Sequence, residues 1–510
     1  MTATTGTATK ERTYRFAPID RTGWILGLGG AQCVIVATGV LLAGWFLRAG
    51  APAPFVLGPA VAAAVLGFGS WEGRTAHEWT PILARHLALR VSGSHRWFAP
   101  LPYVTGTTSD RQRPPALPPF LAGVDVLDAG AAPWCGAAGH AGIGVLRDRR
   151  DRSLSASLTV RGRAFSLVER SDQERIVERW GDALSAFCTE RRGVTRVRVT
   201  ERCSPAGVGE NERFAQAHAT AAATSEARRS YEELLAEAGP MALRHEAVVT
   251  VTVAARRARG GRSGGDPEDG AVGTLVEELR LLTARLEAAG VEVDPPLSVA
   301  QTAEMLRLRL DPASAPAMAA RASTLAELVG VVSPASMGPM ATATEWGHVV
   351  VDGSCHRTYW VAEWPRLDVG PNWLEPMLLH AGGVRTFALH YEPVPPSRSQ
   401  RRIERDSTRL ATDEEQRSRA GFRIGARHHR AQAAVAEREA ELVAGYAELE
   451  YAGFLTVSAP DPDLLALSCS EHEQIAAQAG LELRALDGRH DLGLVCSLPV
   501  GRGIAPRRFA

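Results

Sequence analysis

The chain has 510 residues, enough for two or three folding units, and its 57 acidic and 57 basic side chains cancel, so bulk charge argues for no polyanionic partner. The seven cysteines form no C-x-x-C pair, and their odd number suits reduced thiols better than a disulfide framework. Lys10 is the only lysine, which excludes a Walker A, Schiff-base or other catalytic lysine beyond the N-terminal tail.

Residues 1–11 are rich in Thr and Ala and read as disordered, within a tail that runs to residue 23. Residues 22–47 and 49–71 carry no charge, and the short stretch Arg48 to Pro54 separates them. A helix rising about 1.5 Å per residue needs roughly 20 apolar residues to cross a hydrocarbon core about 30 Å thick. Residues 24–71 are therefore predicted to form a two-helix transmembrane hairpin. Trp24, Trp45 and Trp71 fall near the span ends, where indole rings favour the headgroup level, and with Gln32 they are the expected membrane and interface anchors. The many Gly and Ala residues would let two helices approach closely. Pro52, Pro54 and Pro59 fall where a missing N–H costs least. Lys10, Arg12, Arg15 and Arg21 precede the first span, Arg74, Arg85, Arg90 and Arg96 follow the second, and only Arg48 lies between. Basic flanks stay inside, so the expected topology is a two-pass plasma-membrane protein with both termini cytoplasmic.

Residues 72–120 are read as a juxtamembrane helix and a Pro-rich linker. Trp79, Ile82, Leu83, His86, Leu87 and Arg90 recur at helical spacing, as in an interfacial helix or one packed on the next domain. Residues 121–345 form a first cytoplasmic α+β unit. The runs Ile143 to Val145 and Leu154 to Val160 flank a charged tip as a β-hairpin does, and Ser171 with Glu174 makes a capping box for the next helix. Val194 to Val199 alternates as a strand, Glu212 to Ala238 reads as a long polar helix, and His245 to Val253 is a strand. Arg256 to Gly270 is a loop, and Val272 to Ala289 a helix. This order predicts ferredoxin-like α/β sandwich character.

Residues 346–510 repeat the theme. Asp352-Gly353 is a hairpin turn signal, and Val384 to Tyr391 is a strand. Ser397 to Tyr451 is a helical arm with a break at Gly421 to Gly425, compatible with two antiparallel helices or one bent arm. Phe454 to Ser458 is a strand, Asp463 to Ala479 a helix and Leu492 to Leu498 a closing strand. The predicted fold class is thus membrane-anchored α+β: a transmembrane helical hairpin followed by cytoplasmic ferredoxin-like α/β sandwich units with a long helical arm.

Chemical motifs are sparse. Gly261-Arg262-Ser263-Gly264-Gly265 matches G-x-S-x-G but sits in a Gly/Arg loop, without the strand-to-helix elbow that the motif needs. Cys355 and His356 are strand neighbours and should point to opposite faces. His428 and His429 would diverge by about 100° on a helix, with no third ligand at metal spacing. These residues support no enzyme, no catalytic residue, no cofactor and no metal. The arm arginines Arg398, Arg401, Arg402, Arg405 and Arg409 alternate with Glu404, Asp406 and Asp413 to Glu415 as on an ordinary solvated face, which argues against direct nucleic-acid binding.

Two stretches carry a resemblance. Arg15-Phe16-Ala17-Pro18, Gly27 to Gly30 with Gln32, and the helix around Trp79 to Leu89 resemble the small inner-membrane subunit of type IV secretion and conjugation systems. From about Ile143 onward the chain resembles the non-catalytic N-terminal domain of conjugative secretion ATPases. The points of similarity are Arg161-Gly162, Ser171 to Glu174, Arg357 to Pro365, Pro393 to Pro396, the helical arm, Phe454 to Val457, Gly480-Leu481 and Leu498-Pro499. In that family the Leu-Pro segment leads into the P-loop motor, whereas here the chain stops within a dozen residues. The resemblance therefore implies an actinobacterial fusion of membrane subunit and accessory domain, acting as a non-catalytic scaffold that docks a separate hexameric ATPase. It also implies membrane lipid and other secretion-system membrane subunits as partners, and an oligomer in the assembled machine. Arg502, Arg507, Arg508 and Phe509 are the expected ATPase contacts, together with the arm. A type VII secretion membrane component is the alternative, and a membrane-anchored nucleic-acid-binding protein a further one.

Overall fold

Alternating Val, Thr and aromatic residues set out strands that pair with one another across the whole chain. In the computed structural model, which describes residues 13–16, 29–71, 74–100, 117–136, 142–162, 165–189, 193–206, 209–218, 225–238, 242–255, 267–318, 337–380, 382–419, 421, 423 and 425–503, thirteen strands form one antiparallel sheet. Its organisation is a structural repeat. The first run is β5 (Gly144–Asp148), β6 (Ser153–Arg161), α4 (Arg170–Thr189), β7 (Val194–Pro205), α5 (Gly209–His218), α6 (Glu226–Ala238), β8 (Leu243–Ala254), α7 (Pro267–Ala288), β9 (Glu292–Pro296) and α8 (Val299–Leu310). The second is β11 (Val349–Val351), β12 (Ser354–Glu363), α9 (Glu375–Leu378), β13 (Val384–Pro393), α10 (Pro396–Arg419), α11 (Ala426–Val443), β14 (Leu449–Ala459), α12 (Pro462–Gln478), β15 (Glu482–Ala485) and α13 (His490–Cys496).

Each run pairs its strands in the same order. The first gives β5–β6–β8–β7 with β9 beside β6, and the second gives β11–β12–β14–β13 with β15 beside β12. β4 (Val124–Asp128) extends one end, and β10 (Ala341–Thr344) with β3 (Arg96–Phe98) extends the other. The runs meet where β7 pairs antiparallel with β13, with Thr200 opposite Ala388. The expected ferredoxin-like units are therefore halves of one sheet. Left apart, β7 and β13 would each present a long row of unpaired backbone groups.

One face of the sheet carries two apolar clusters. α4 and α7 cover Val197, Val251 and Leu158, while α9 and α12 cover Phe387, Leu455 and Tyr359. The opposite face is covered by α8 and α13, with Leu306, Leu310, Leu494 and Leu498 in contact. Asp352, at the β11–β12 turn, takes φ 49°, as the Asp-Gly signal requires. α10 and α11 are two antiparallel helices, held by Ile403, Leu410 and Val435 and by the Arg438–Asp406 pair. Several expected elements are corrected. Leu492 to Leu498 is mostly the helix α13, Ser171 lies within α4 rather than capping it, and the long polar helix is divided into α5 and α6.

The transmembrane hairpin is also corrected. α1 (Gly30–Arg48) has 19 residues and α2 (Ala53–Phe68) has 16, and among the described residues only α1 is long and apolar enough to cross a membrane. At about 1.5 Å per residue α2 reaches about 24 Å, short of the ~30 Å hydrocarbon core. Counting uncharged positions overstated it. Ala49 to Pro52 form the turn, the helix stops before Gly69, and β1 (Ser70–Trp71) pairs with β2 (Arg74–Thr75). The two-pass localisation, which rested on two spanning helices, falls with the hairpin.

α1 and α2 nevertheless pack on each other. Gln32 accepts from Gly29 N–H at 2.7 Å and donates from Nε2 to Gly67 O at 2.7 Å, linking the start of α1 to the end of α2. Gly39 lies against Ala63 and Pro59 O. Gly39→Leu is expected to push α1 away from α2, toward the ~10 Å interaxial distance of ordinary helix pairs. Pulsed electron resonance between nitroxides at positions 42 and 57, in a Cys33→Ser, Cys135→Ser background, reads that separation. An unchanged distance would refute the role given to Gly39.

Candidate functional site

Residues at alternate positions of β7 face opposite ways. Val197 and Cys203 enter the sheet's core, and Arg196, Arg198, Thr200 and Arg202 line the other face. Neighbouring strands continue this second face with hydroxyls and imidazoles. Ser155 pairs with Thr252 at 3.0 Å, Ser157 with Thr250 at 2.9 Å and Thr358 with Thr456 at 3.0 Å, while His356 and His390 lie fully buried among them. Cross-strand hydroxyl pairs satisfy one another laterally, which leaves the arginines to find partners above the sheet.

Those partners are backbone carbonyls of the C-terminal segment. α13 ends at Cys496, and residues 497–503 then cross the seam between β7 and β13 as a strap. Arg198 donates to Val495 O at 3.2 Å, to Leu498 O, and to Arg502 O at 2.8 Å. Arg196 donates to Gly501 O at 2.7 Å while pairing with Glu392 of β13. Arg309, at the end of α8, donates to Thr200 Oγ1 at 2.9 Å and to Ser497 O at 3.3 Å. His390 Nε2 lies 2.8 Å from Cys496 O. Helix C-termini leave carbonyls unpaired and carry partial negative charge, so buried cations and N–H donors are their natural partners. The bed fits the strap closely: a Cβ added at Gly501 would come within 2.8 Å of Ser153 Oγ and Ser155 Oγ.

The two halves interlock through these helix ends. Leu310 O of α8, in the first half, lies 2.9 Å from His356 Nε2 of β12, in the second. Val495 O of α13, in the second half, accepts from Arg198 of β7, in the first. Burial shifts Arg198, Arg202, Arg309, His356 and His390. Desolvation, then the neighbouring Arg196, pulls Arg198 down to about 9, and burial likewise lowers Arg309 and takes Arg202 to about 10. Burial lowers His356 to about 4 and puts His390 well below the usual range, so both are neutral. A neutral His356 donates from Nε2 to Leu310 O and accepts the Ser458 hydroxyl at Nδ1, 2.8 Å away.

Of the expected anchors and contacts, Gln32 ties α1 to α2. Trp45 stands exposed at 63 % with its ring 4.9 Å from Phe46, and Trp71 belongs to β1. Trp24, Arg507, Arg508 and Phe509 lie outside the described residues, as does the Gly261 to Gly265 loop. Arg502 turns inward: it pairs with Asp148 at 2.6 Å and donates to Phe120 O and Ala122 O, pinning the strap to the first half. Cys355 and His356 face opposite sides of the sheet, and His428 sits between α10 and α11, 3.7 Å from both Asp413 and Glu414.

Sequence reasoning missed Arg198, Arg309 and His390, although the Arg-x-Arg alternation inside a Val-rich strand was the available signal. A cavity of about 280 Å³ lies beside the strap, and its charged lining is engaged internally, Arg85 with Asp491, Arg502 with Asp148, and Arg150 with Pro119 O. Among the described residues no group of three His, Cys, Asp or Glu could hold a metal ion. No family model matches the chain, and no curated protein matches it.

Two outcomes follow from the bed. Arg198→Ala strands the buried Leu498 carbonyl and removes the guanidinium from Val495 O, which keeps the Leu498 N–H, and from the half-buried Arg502 O, so urea unfolding should show a loss of about 1–3 kcal/mol. Hydrogen exchange should rise selectively over residues 495–503. Equal protection of that segment in variant and parent would refute the grip. The second outcome concerns acid. An unfolded histidine takes its proton near 6.5 and folded His356 only near 4, so its contribution is complete above the upper value and is lost as pH falls toward the lower. That loss is about 3 kcal/mol. His356→Gln, which keeps one donor and one acceptor, should shrink the stability difference between about pH 7.5 and about pH 5 by about 2 kcal/mol, the share of that loss complete at pH 5. No change in that difference would show that His356 does not report on acid.

Proposed function

We propose that the chain is a non-catalytic scaffold of a type IV-like, conjugative secretion apparatus, held at a membrane by one apolar helix and docking a separate hexameric ATPase. The observation that carries this reading is the path of the strap. In the ATPases that the chain resembles, a Leu-Pro segment leads into the motor. Here Leu498-Pro499 runs through the seam of the twin repeat under Arg198 and Arg309, and the strap reaches partial exposure at Gly501 to Gly503. A segment gripped in this way gives a partner a fixed point of attachment.

The arm is the second surface of the reading. Its small apolar seam leaves Arg401, Glu404 and Arg405 in water. Charges there contribute little to the fold and are available to a complementary partner. Arg401→Glu with Arg405→Glu should weaken capture of a P-loop ATPase, identified by mass spectrometry of the detergent-extracted complex, with the melting temperature unchanged. Equal capture by variant and parent removes the arm as the contact. If neither recovers a P-loop ATPase, the secretion reading is wrong.

A further inference from the structure

α3 (Ala76–Val91) follows the β1–β2 pair, with Ala76 N–H donating to Gly69 O at 2.7 Å and Glu78 closing a capping box on Thr75. One side of it is fastened to the body. Ile82 is buried, Trp79 and His86 pack on Trp346 at 6.0 and 5.2 Å, and Arg85 pairs with Asp491. Among the described residues, none covers the large side chains of the other side fully. Leu83, Leu87 and Val91 recur every four residues at 46, 60 and 88 % exposure, and Ala84 and Ala88 lie exposed between them. Four-residue spacing puts the three large side chains on one face.

We infer that this outer face of α3 is a lipid-contact surface, with the helix lying along the headgroup boundary of an anionic bilayer. Continuity of the apolar surface selects lipid over a protein partner. The stripe follows directly from α1 and α2, which expose Val40, Leu41, Leu57, Val61 and Phe68, and Phe98 stands 70 % exposed just beyond the end of α3. A bilayer covers all of these at once, whereas a protein groove fitted to α3 would leave the rest in water. The charges agree. Arg96 stands exposed just beyond the stripe, where anionic headgroups would meet it, while Arg90 is paired with Glu345 of the body. In this orientation α3 holds the sheet against the membrane instead of letting it hang from α1.

The inference rests on the membrane part of the proposed function, and the test separates the two. Photo-activated benzoylphenylalanine is placed at position 40, 87, 91 or 467 of the full chain, in vesicles of phosphatidylethanolamine and phosphatidylglycerol. Leu467 is the control, an apolar side chain 60 % exposed on α12. Mass spectrometry should find lipid adducts at 40, 87 and 91 and their loss at 467. Adducts at 40 alone would overturn the α3 surface and leave α1 in the membrane. Cross-links from 87 to a second copy of the chain, or lipid adducts at 467 equal to those at 87, would also overturn it. Absence of lipid adducts at 40 would defeat the membrane reading together with the inference.

Discussion

The interaction on which the rest depends is the grip of buried guanidinium groups on the carbonyls of residues 495–502. Arg198 is fully buried on a strand, and the neighbours that perturb it include two further arginines, Arg196 and Arg309. Taking a cation out of water costs several kcal/mol unless polar partners replace the lost hydration. Here Val495 O of α13 and the Leu498 and Arg502 carbonyls of the strap replace it. The dependence is mutual: without the strap the cations would be stranded, and without the cations the end of α13 would be. Half-satisfied, the arrangement would be worse than an apolar core, so strap and bed are expected to order together.

That reciprocity explains how the repeats become one body. The β7–β13 pairing supplies a continuous sheet, and the crossed helix ends lock it from above, α8 onto β12 and α13 onto β7. Arg502 extends the same lock to Asp148, at the β5–β6 turn of the first half. The N-terminal elements bear on this body at separate places. α3 meets it at Asp491 and Trp346, while Phe16 stacks on Trp364 at 5.1 Å and Tyr14 bridges to Val369. The segments that flank the α1–α2 pair are thus both seated on the sheet domain.

Local chemistry made some of this legible in the sequence. Val-x-Val alternation marked β7, Asp352-Gly353 marked the β11–β12 turn, and the second half was seen to repeat the theme of the first. What could not be read was decided by distant chain. Arg196, Arg198 and Arg202 look like the wet face of a half-buried strand, yet Arg198 and Arg202 are buried and Arg196 half-buried because α8 and the strap, distant in the chain, cover them. Leu492 to Leu498 is a short apolar run whose periodicity does not distinguish strand from buried helix. For α2 the error was one of counting, since absence of charge sets an upper limit on helix length while Gly69 and the β1–β2 turn set the actual one.

The placement of Arg502 alters what the end of the described chain can do for a partner. Read from sequence it is one more cation on a basic tail, free to pair with acidic groups elsewhere. Read from the fold it is the last bolt of the strap, only 13 % exposed in its side chain and already matched to Asp148. A flexible tail would have to be ordered on binding, at a cost in conformational entropy for each residue fixed. Residues 497–503 carry little of that cost, because the bed has already fixed their backbone. A partner that met the chain at Gly503 would therefore engage a surface already ordered by the fold.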